Sequence, residues 1–183
     1  YYCYDNNIIN NRITNNSFHT VGTSGTAYLF YNWYNYNSVR SLNVWEDNRV
    51  DSNSASGNMY TTYLYFMGSM RASRNSFTNN RGGSTTGLWY GWLIYYPNNL
   101  TFNNNLIANN YGYFSNYNIY SYNFNSGWTA DIRENTIHTR HSSYLYHFCY
   151  GYLFQEMNSR FNFEGNILDA TSNYYIYPGY LNS

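Results

Sequence analysis

The chain carries little charge. Of its 183 residues only 10% are charged, and nine basic residues balance nine acidic ones, so the formal net charge is zero. All nine basic residues are Arg, because the sequence contains no Lys. Proteins that bind nucleic acids or anionic membrane surfaces concentrate positive charge on one face. We therefore expect neither of these partners.

Cysteine, proline and long apolar runs are also scarce. Cys3 and Cys149 are the only cysteines, and they fall at different positions of the repeat described below. Their Cα atoms would lie too far apart for a disulfide, so we expect two free thiols. No signal peptide and no apolar run long enough to span a membrane is evident. Because the first residue is Tyr1 and not Met, we expect a processed mature chain or a piece of a longer protein.

Asparagine and tyrosine dominate the composition instead. The chain contains 33 Asn and 26 Tyr, far above average usage. Aromatic residues make up 23% of the sequence. Disordered chains are poor in aromatic residues, so this composition predicts a folded protein.

An eight-residue pattern recurs along the whole chain. It is clearest in Ala130–Ile137, where apolar and polar residues alternate, a fixed Asn follows, and another apolar residue comes two positions later. The pattern returns at intervals of about 30 residues, and a period of roughly 20–50 residues indicates a solenoid or an array. The fixed asparagines are Asn11, Asn48, Asn75, Asn105, Asn135 and Asn166.

Each copy of the pattern predicts two short strands joined by a turn. The alternation has the period of a β-strand, and it slips once, just before the fixed Asn. Asn suits such a turn because it tolerates a left-handed backbone. Its amide can also bond to the equivalent amide in the coils above and below, which predicts a ladder of the six asparagines. The inward side chains of Phe102, Ile132 and Phe163 should stack in one row.

This repeat resembles that of the pectate-lyase-like right-handed parallel β-helix family, and its six copies cover nearly the whole chain. The resemblance implies an all-β protein, a right-handed parallel β-helix (solenoid) of about six coils of roughly 30 residues, with about three short strands per coil. The chain length and the absence of a Pro- or Gly-rich linker predict a single domain over residues 1–183. The family's catalytic residues have no matching motif here, and this fold hosts lyases, glycosidases, adhesins and inert fibres, so the fold alone assigns no function.

Aromatic blocks follow the fixed asparagines, notably at Tyr117–Phe124 and Tyr144–Phe154. Strand alternation points Ile119 inward and Tyr120 and Tyr122 outward. Stacked coils would then carry a wall of outward tyrosines. This wall is either a contact face for sugars or neighbouring chains, or a plain surface, because Tyr favours strands. The predicted face comprises Tyr63, Tyr65, Tyr90, Tyr120, Tyr122 and Tyr146.

The acidic residues align with arginines in neighbouring copies of the pattern. The alignment places Asp47 beside Arg74 and Arg133 beside Glu164. Such pairs are typical of surface ion pairs between adjacent strands. We find no set of carboxylates, histidines or cysteines with metal-ligand spacing, and we expect neither a metal nor another cofactor.

Two further features could carry chemistry. The alignment brings His138 next to Asp169, a pair that occurs in catalysis but is more often a plain surface contact. Glycosylation sequons begin at Asn15 and Asn99, although chance alone produces such motifs in a chain this rich in Asn. We assign no catalytic residue.

Three functions remain open at this point. The first is a structural subunit of an extracellular filament or surface appendage, which assembles with copies of itself through the solenoid ends and the tyrosine faces. The second is a carbohydrate-binding or adhesin module that binds glycans. The third is a polysaccharide lyase or glycosidase whose site the sequence does not reveal. All three place the protein outside the cell or at its surface.

Overall fold

The computed structural model describes residues 6–19, 25–33, 42–65, 68–83, 87–124, 129–140, 148–157, 160–171 and 175–182. All regular elements within these ranges are β-strands. In chain order they are β1 (Asn7–Ile9), β2 (Arg12–Thr14), β3 (Ser17–Phe18), β4 (Thr26–Trp33), β5 (Leu42–Glu46), β6 (Arg49–Asp51), β7 (Ser54–Ala55), β8 (Asn58–Tyr65), β9 (Ser69–Ser73), β10 (Ser76–Thr78), β11 (Arg81–Gly82), β12 (Leu88–Tyr95), β13 (Leu100–Asn103), β14 (Leu106–Gly112), β15 (Ser115–Phe124), β16 (Thr129–Arg133), β17 (Thr136–Arg140), β18 (Phe148–Met157), β19 (Arg160–Glu164), β20 (Ile167–Thr171) and β21 (Tyr175–Asn182).

The strands form three parallel sheets that stack along one axis. The first sheet has the order β1-β5-β9-β13-β16-β19, with one strand from each copy of the repeat. The second sheet runs through β2, β6, β10, β14, β17 and β20, and a branch from β14 continues through β11, β7 and β3. The third sheet has the order β4-β8-β12-β15-β18-β21. The predicted all-β parallel solenoid is therefore confirmed.

The predicted inward row is present in the first sheet. Phe102 pairs with Ile132, and Ile132 pairs with Phe163. Phe102 and Ile132 are fully buried, as predicted. Phe163 is 42% exposed instead, because it lies on β19, the last strand of this sheet. Side chains in the middle of the row are covered on both sides, whereas those at its end are covered on one.

The corner between the first and second sheets differs from the prediction. The left-handed residue is the one before each fixed Asn, not the Asn itself. This leaves the amide free to point into the solenoid. The left-handed residues are Asn10 (φ 58°), Asp47 (57°), Arg74 (55°), Asn104 (56°), Glu134 (53°) and Gly165 (62°).

The prolines and the described cysteine lie in different kinds of element. Pro97 lies in the bend between β12 and β13, whereas Pro178 lies within β21, an outermost strand, where a missing N–H donor is tolerated. Cys149 lies in β18, and Cys3 lies outside the described residues.

Replacing Glu134 by Gly is expected to stabilise the protein by about 0.5 kcal/mol. A left-handed backbone costs an ordinary residue about 1–2 kcal/mol, and Gly loses about 0.5–1 kcal/mol of that gain through its freer unfolded state. The equivalent position of the last copy already holds Gly165. Urea denaturation followed by circular dichroism would measure the change.

The matched control is Glu164→Gly, within the regular strand β19. Gly should destabilise there, because no strained backbone is relieved. Equal effects of the two substitutions would contradict the assignment of backbone strain to the corner.

Candidate functional site

The six predicted asparagines form one continuous ladder of side-chain amides. In each step, the Nδ2 of one Asn donates to the Oδ1 of the next over 2.9–3.0 Å. The main-chain N–H of the first Asn donates to the same oxygen. Every step runs in the same direction, from the copy nearer the N-terminus to the next. The members are Asn11, Asn48, Asn75, Asn105, Asn135 and Asn166.

The ladder satisfies its own buried polar groups. Asn75 accepts from the main-chain N–H and the Nδ2 of Asn48, and donates to Asn105 Oδ1 and to the Trp45 carbonyl. Both lone pairs and both protons of the amide are therefore used. The amide is buried at no cost in unsatisfied hydrogen bonds, and each bond fixes the register of two coils.

A second ladder follows the first after five residues, and the sequence analysis missed it. Its Nδ2–Oδ1 distances are all 2.9 Å. A left-handed residue again precedes each Asn, at Asn15, Ser52, Asn79 and Asn109. The recurrence of Asn five positions after the first four fixed asparagines would have revealed it. The members are Asn16, Asn53, Asn80 and Asn110.

The third sheet carries an unbroken column of stacked tyrosines on its outer face. Adjacent ring centroids are 4.6–5.1 Å apart, with interplanar angles of 3–17°. The column has one member on each strand of the sheet. Its members are Tyr28, Tyr60, Tyr90, Tyr117, Tyr150 and Tyr177.

Stacking limits which parts of these tyrosine side chains a ligand could contact. Because the rings lie nearly parallel along the axis, neighbouring rings cover the faces of the inner members, and only their edges and hydroxyl groups can meet solvent. Burial, with a further contribution from the neighbouring tyrosines, raises the pKa of Tyr60 to about 12 and also raises the pKa of Tyr90. The hydroxyl groups of Tyr60 and Tyr90 therefore stay protonated into more alkaline solution than an exposed tyrosine would.

The described tyrosines of the predicted face lie in three different columns of the third sheet. Tyr90 belongs to the continuous column. Tyr63 and Tyr120 both pair with Leu93, and so belong to a second outer column that this leucine interrupts. Tyr65 and Tyr122 flank Tyr95 in a third column, with ring centroids 5.5 and 5.9 Å from its ring. Tyr146 lies outside the described residues.

The remaining tyrosines of the continuous column were missed. The shared spacing Tyr-x-x-Tyr-x-Tyr, at Tyr60–Tyr65 and again at Tyr117–Tyr122, was the available signal. Two consecutive residues point inward between the first two outer tyrosines, as the burial of Thr61 and Thr62 shows. This step breaks strict alternation.

Ion pairs connect neighbouring coils on the first sheet. Arg74 contacts Asp47 at 2.8 Å and Glu46 at 3.3 Å, and Arg71 contacts Glu46 at 2.8 Å. The hydrogen bond from Arg74 lowers the pKa of Asp47. The predicted pairing of Asp47 with Arg74 is thus confirmed. All three contacts lie at the surface, where solvent screens such pairs and they contribute little to stability.

The second predicted ion pair is looser than expected. Arg133 lies 3.9 Å from Glu164 but 2.6 Å from Asp131 on its own strand. Asp51, in contrast, accepts bonds from Thr78, Asn79 and Arg49, led by the Thr78 hydroxyl, and these hold its pKa at about 2. Asp51 is therefore ionised at neutral pH and is a hydrogen-bond acceptor for its neighbours.

The predicted His138–Asp169 contact is present, with 2.6 Å between Nδ1 and Oδ2. Within the described ranges, no three or more His, Cys, Asp or Glu residues cluster as metal ligands would. Asn15, the first sequon, lies exposed at a corner. Asn99, in the second sequon, donates from Nδ2 to Ser69 Oγ and accepts at Oδ1 from Thr129, so a glycan on Nδ2 would compete with the bond to Ser69.

The fold defines the chain as a parallel β-solenoid. Comparisons with family models, with curated proteins and with solved structures find no match to it. Among the described residues, no helix has the length and apolar character needed to cross a membrane.

Proposed function

We propose that the chain is a structural subunit of an extracellular filament or surface appendage, built by head-to-tail stacking of copies. The direction of the asparagine ladder is the observation that carries this proposal. Asn11 Oδ1 accepts no hydrogen bond from a described residue, and the main-chain N–H of Asn166 donates to none. One end of the ladder therefore offers an acceptor and the other a donor, which suits a second copy in the same orientation.

Apolar side chains at the outermost strands support the same assembly. Ile8 and Phe163 are the first and last members of the inward row, and both are only partly buried. The edges of β1 and β19 can also pair as parallel strands, as all neighbouring strands of this sheet do. Stacking would place Ile8 of one copy on Phe163 of the next.

We also propose the hand of the solenoid and the family to which it is related. A right-handed winding and a relationship to the pectate-lyase-like β-helices rest on the sequence pattern, and the regular Asn corners support them. Near-atomic electron cryomicroscopy of the filament would determine the hand directly.

The alternative functions have weaker support. Carbohydrate binding by aromatic side chains uses ring faces, and the continuous column covers most of its faces by stacking. A degrading enzyme needs carboxylates free to act on the substrate, and the carboxylates of Glu46, Asp47, Asp51 and Asp131 contact arginines.

Negative-stain electron microscopy and light scattering across a dilution series test the proposal. We expect filaments with an axial subunit repeat of about 29 Å, six strand spacings. The substitution Phe163→Asp should abolish them. Leu106→Asp is the matched control, because Leu106 is 39% exposed on the side of the solenoid, and filaments should persist. A monodisperse monomer at all concentrations, or equal effects of both variants, would overturn the proposal.

A further inference from the structure

We propose that a groove centred on Arg81 binds a sulfate ester carried by a saccharide. This inference goes beyond the structural function and does not depend on assembly. The groove runs along the corner where the second sheet meets the branch formed by β3, β7 and β11. Its lining combines an arginine with side-chain amides and hydroxyl groups.

Two adjoining cavities share Arg81. The first, of about 300 Å³, is lined by Asn79, Asn80, Arg81, Asn109 and Tyr111. The second, of about 240 Å³, includes Ser17, His19, Ser54 and Arg81 in its lining. Arg81 pairs in register with Ser54 on one side and with Tyr111 on the other. The guanidinium therefore lies between a hydroxyl group and an aromatic ring.

The guanidinium is positioned but not neutralised. It lies over the Tyr111 ring, with Cζ 5.2 Å from the ring centroid. Within the described part of the chain, the ion pairs involve other arginines and His138, and leave Arg81 without an acidic partner. A guanidinium held flat against a ring keeps its N–H edge available for two parallel bonds to an oxyanion.

Further donors surround this edge from two directions. The Asn109 side chain is exposed at a left-handed corner on the first cavity. On the other side, Ser54 and Ser17 share a hydrogen bond of 3.3 Å, and His19 Nε2 lies 3.1 Å from Ser17 Oγ. Hydroxyl protons rotate to suit their partner. Donors from several directions fit a tetrahedral oxyanion with three outward oxygens better than a planar carboxylate.

The single cation indicates what carries the oxyanion. Nucleic acids present closely spaced phosphates and are bound by several basic residues, whereas this groove offers one arginine in a chain of zero net charge. Amide and hydroxyl groups dominate the rest of its lining. This pattern suits a sparsely charged, hydroxyl-rich polymer, and a sulfated saccharide has that chemistry.

Isothermal titration calorimetry with a sulfated galactan oligosaccharide tests the proposal. We expect saturable binding that Arg81→Gln weakens about tenfold or more, as the loss of a charge-assisted bond predicts. Tyr111→Leu should weaken it by a smaller factor, because the ring holds the guanidinium in place. The same oligosaccharide after desulfation should not bind.

The matched control is Arg12→Gln. Arg12 is also exposed and forms no ion pair among the described residues, but it lies on β2, outside both cavities. Binding should be unchanged in this variant. Equal losses in the two arginine variants, no binding of the sulfated oligosaccharide, or equally tight binding of inorganic sulfate alone would each overturn the proposal. Thermal melts of every variant establish that it is folded.

Discussion

Replacing Asn75 by Leu is expected to lower the free energy of unfolding by about 3–5 kcal/mol. The substitution removes four hydrogen bonds of 2.8–3.1 Å inside the solenoid. The donors of Asn48 and the Trp45 carbonyl would lose these bonds inside the solenoid, whereas Asn105 Oδ1 keeps its bond from the main-chain N–H of Asn75. Each buried group left unsatisfied costs about 1–3 kcal/mol. Leu has the same number and branching of side-chain heavy atoms as Asn and leaves no cavity, so the loss reports hydrogen bonding.

Urea denaturation monitored by far-ultraviolet circular dichroism measures this loss. The matched control is Asn162→Ala, which removes an exposed Asn bonded to Asp131 and should change stability by less than about 0.5 kcal/mol. A loss below 1 kcal/mol at Asn75, or one equal to the control, would show that the ladder contributes little to stability.

Replacing Ile132 by Asp is expected to destabilise the protein by several kcal/mol. Ile132 is fully buried between Phe102 and Phe163. A carboxylate there would have no cation to pair with, and an unpaired buried charge is among the most destabilising changes known. Because each coil contacts its neighbours, we expect the damage to extend into the coils on both sides.

A thermal melt by circular dichroism measures this effect. The matched control is Thr101→Asp, on the outer face of β13 beside Arg71 and Asp131, where a new charge stays in water. Its melt should change little. An Ile132→Asp melt close to that of the unsubstituted chain would mean that the inward row has been assigned to the wrong face.

The sequence revealed the parts of the fold that recur at a constant spacing. The fixed Asn, the inward row through Ile132 and the positions of Asp47 and Arg74 all belong to the eight-residue pattern that each copy repeats. Short strands joined by a tight corner leave no room for insertions. Residues at equivalent positions of the pattern are therefore neighbours in adjacent coils of the structure.

The tyrosine column was harder to place, because the connection from the fixed Asn to the third sheet varies in length. Tyr117 follows Asn105 by 12 residues, whereas Tyr150 follows Asn135 by 15. Tyr146, the last member of the predicted face, lies outside the described residues. A second difficulty is that Thr61 and Thr62 are consecutive and both point inward, which strict strand alternation does not predict.

The corner geometry was misassigned for a chemical reason. Asn is the usual residue for a left-handed backbone, and so it was placed there. In this chain the amide is needed inside, and the strain falls on the preceding residue, which includes Arg74 and Glu134. Hydrogen bonding of a buried amide outweighs a backbone preference of about 1–2 kcal/mol.

The one-way asparagine ladders make the molecule electrically polar although its net charge is zero. Main-chain bonds between adjacent strands alternate in direction, as Asn10 N to Glu46 O and Val44 N to Asn6 O illustrate, so their dipoles largely cancel. The amide dipoles of both ladders all point the same way and add, with the positive end towards Asn166. A rod with such a permanent dipole should align in an electric field, and transient electric birefringence under a reversing field would distinguish this permanent dipole from an induced one.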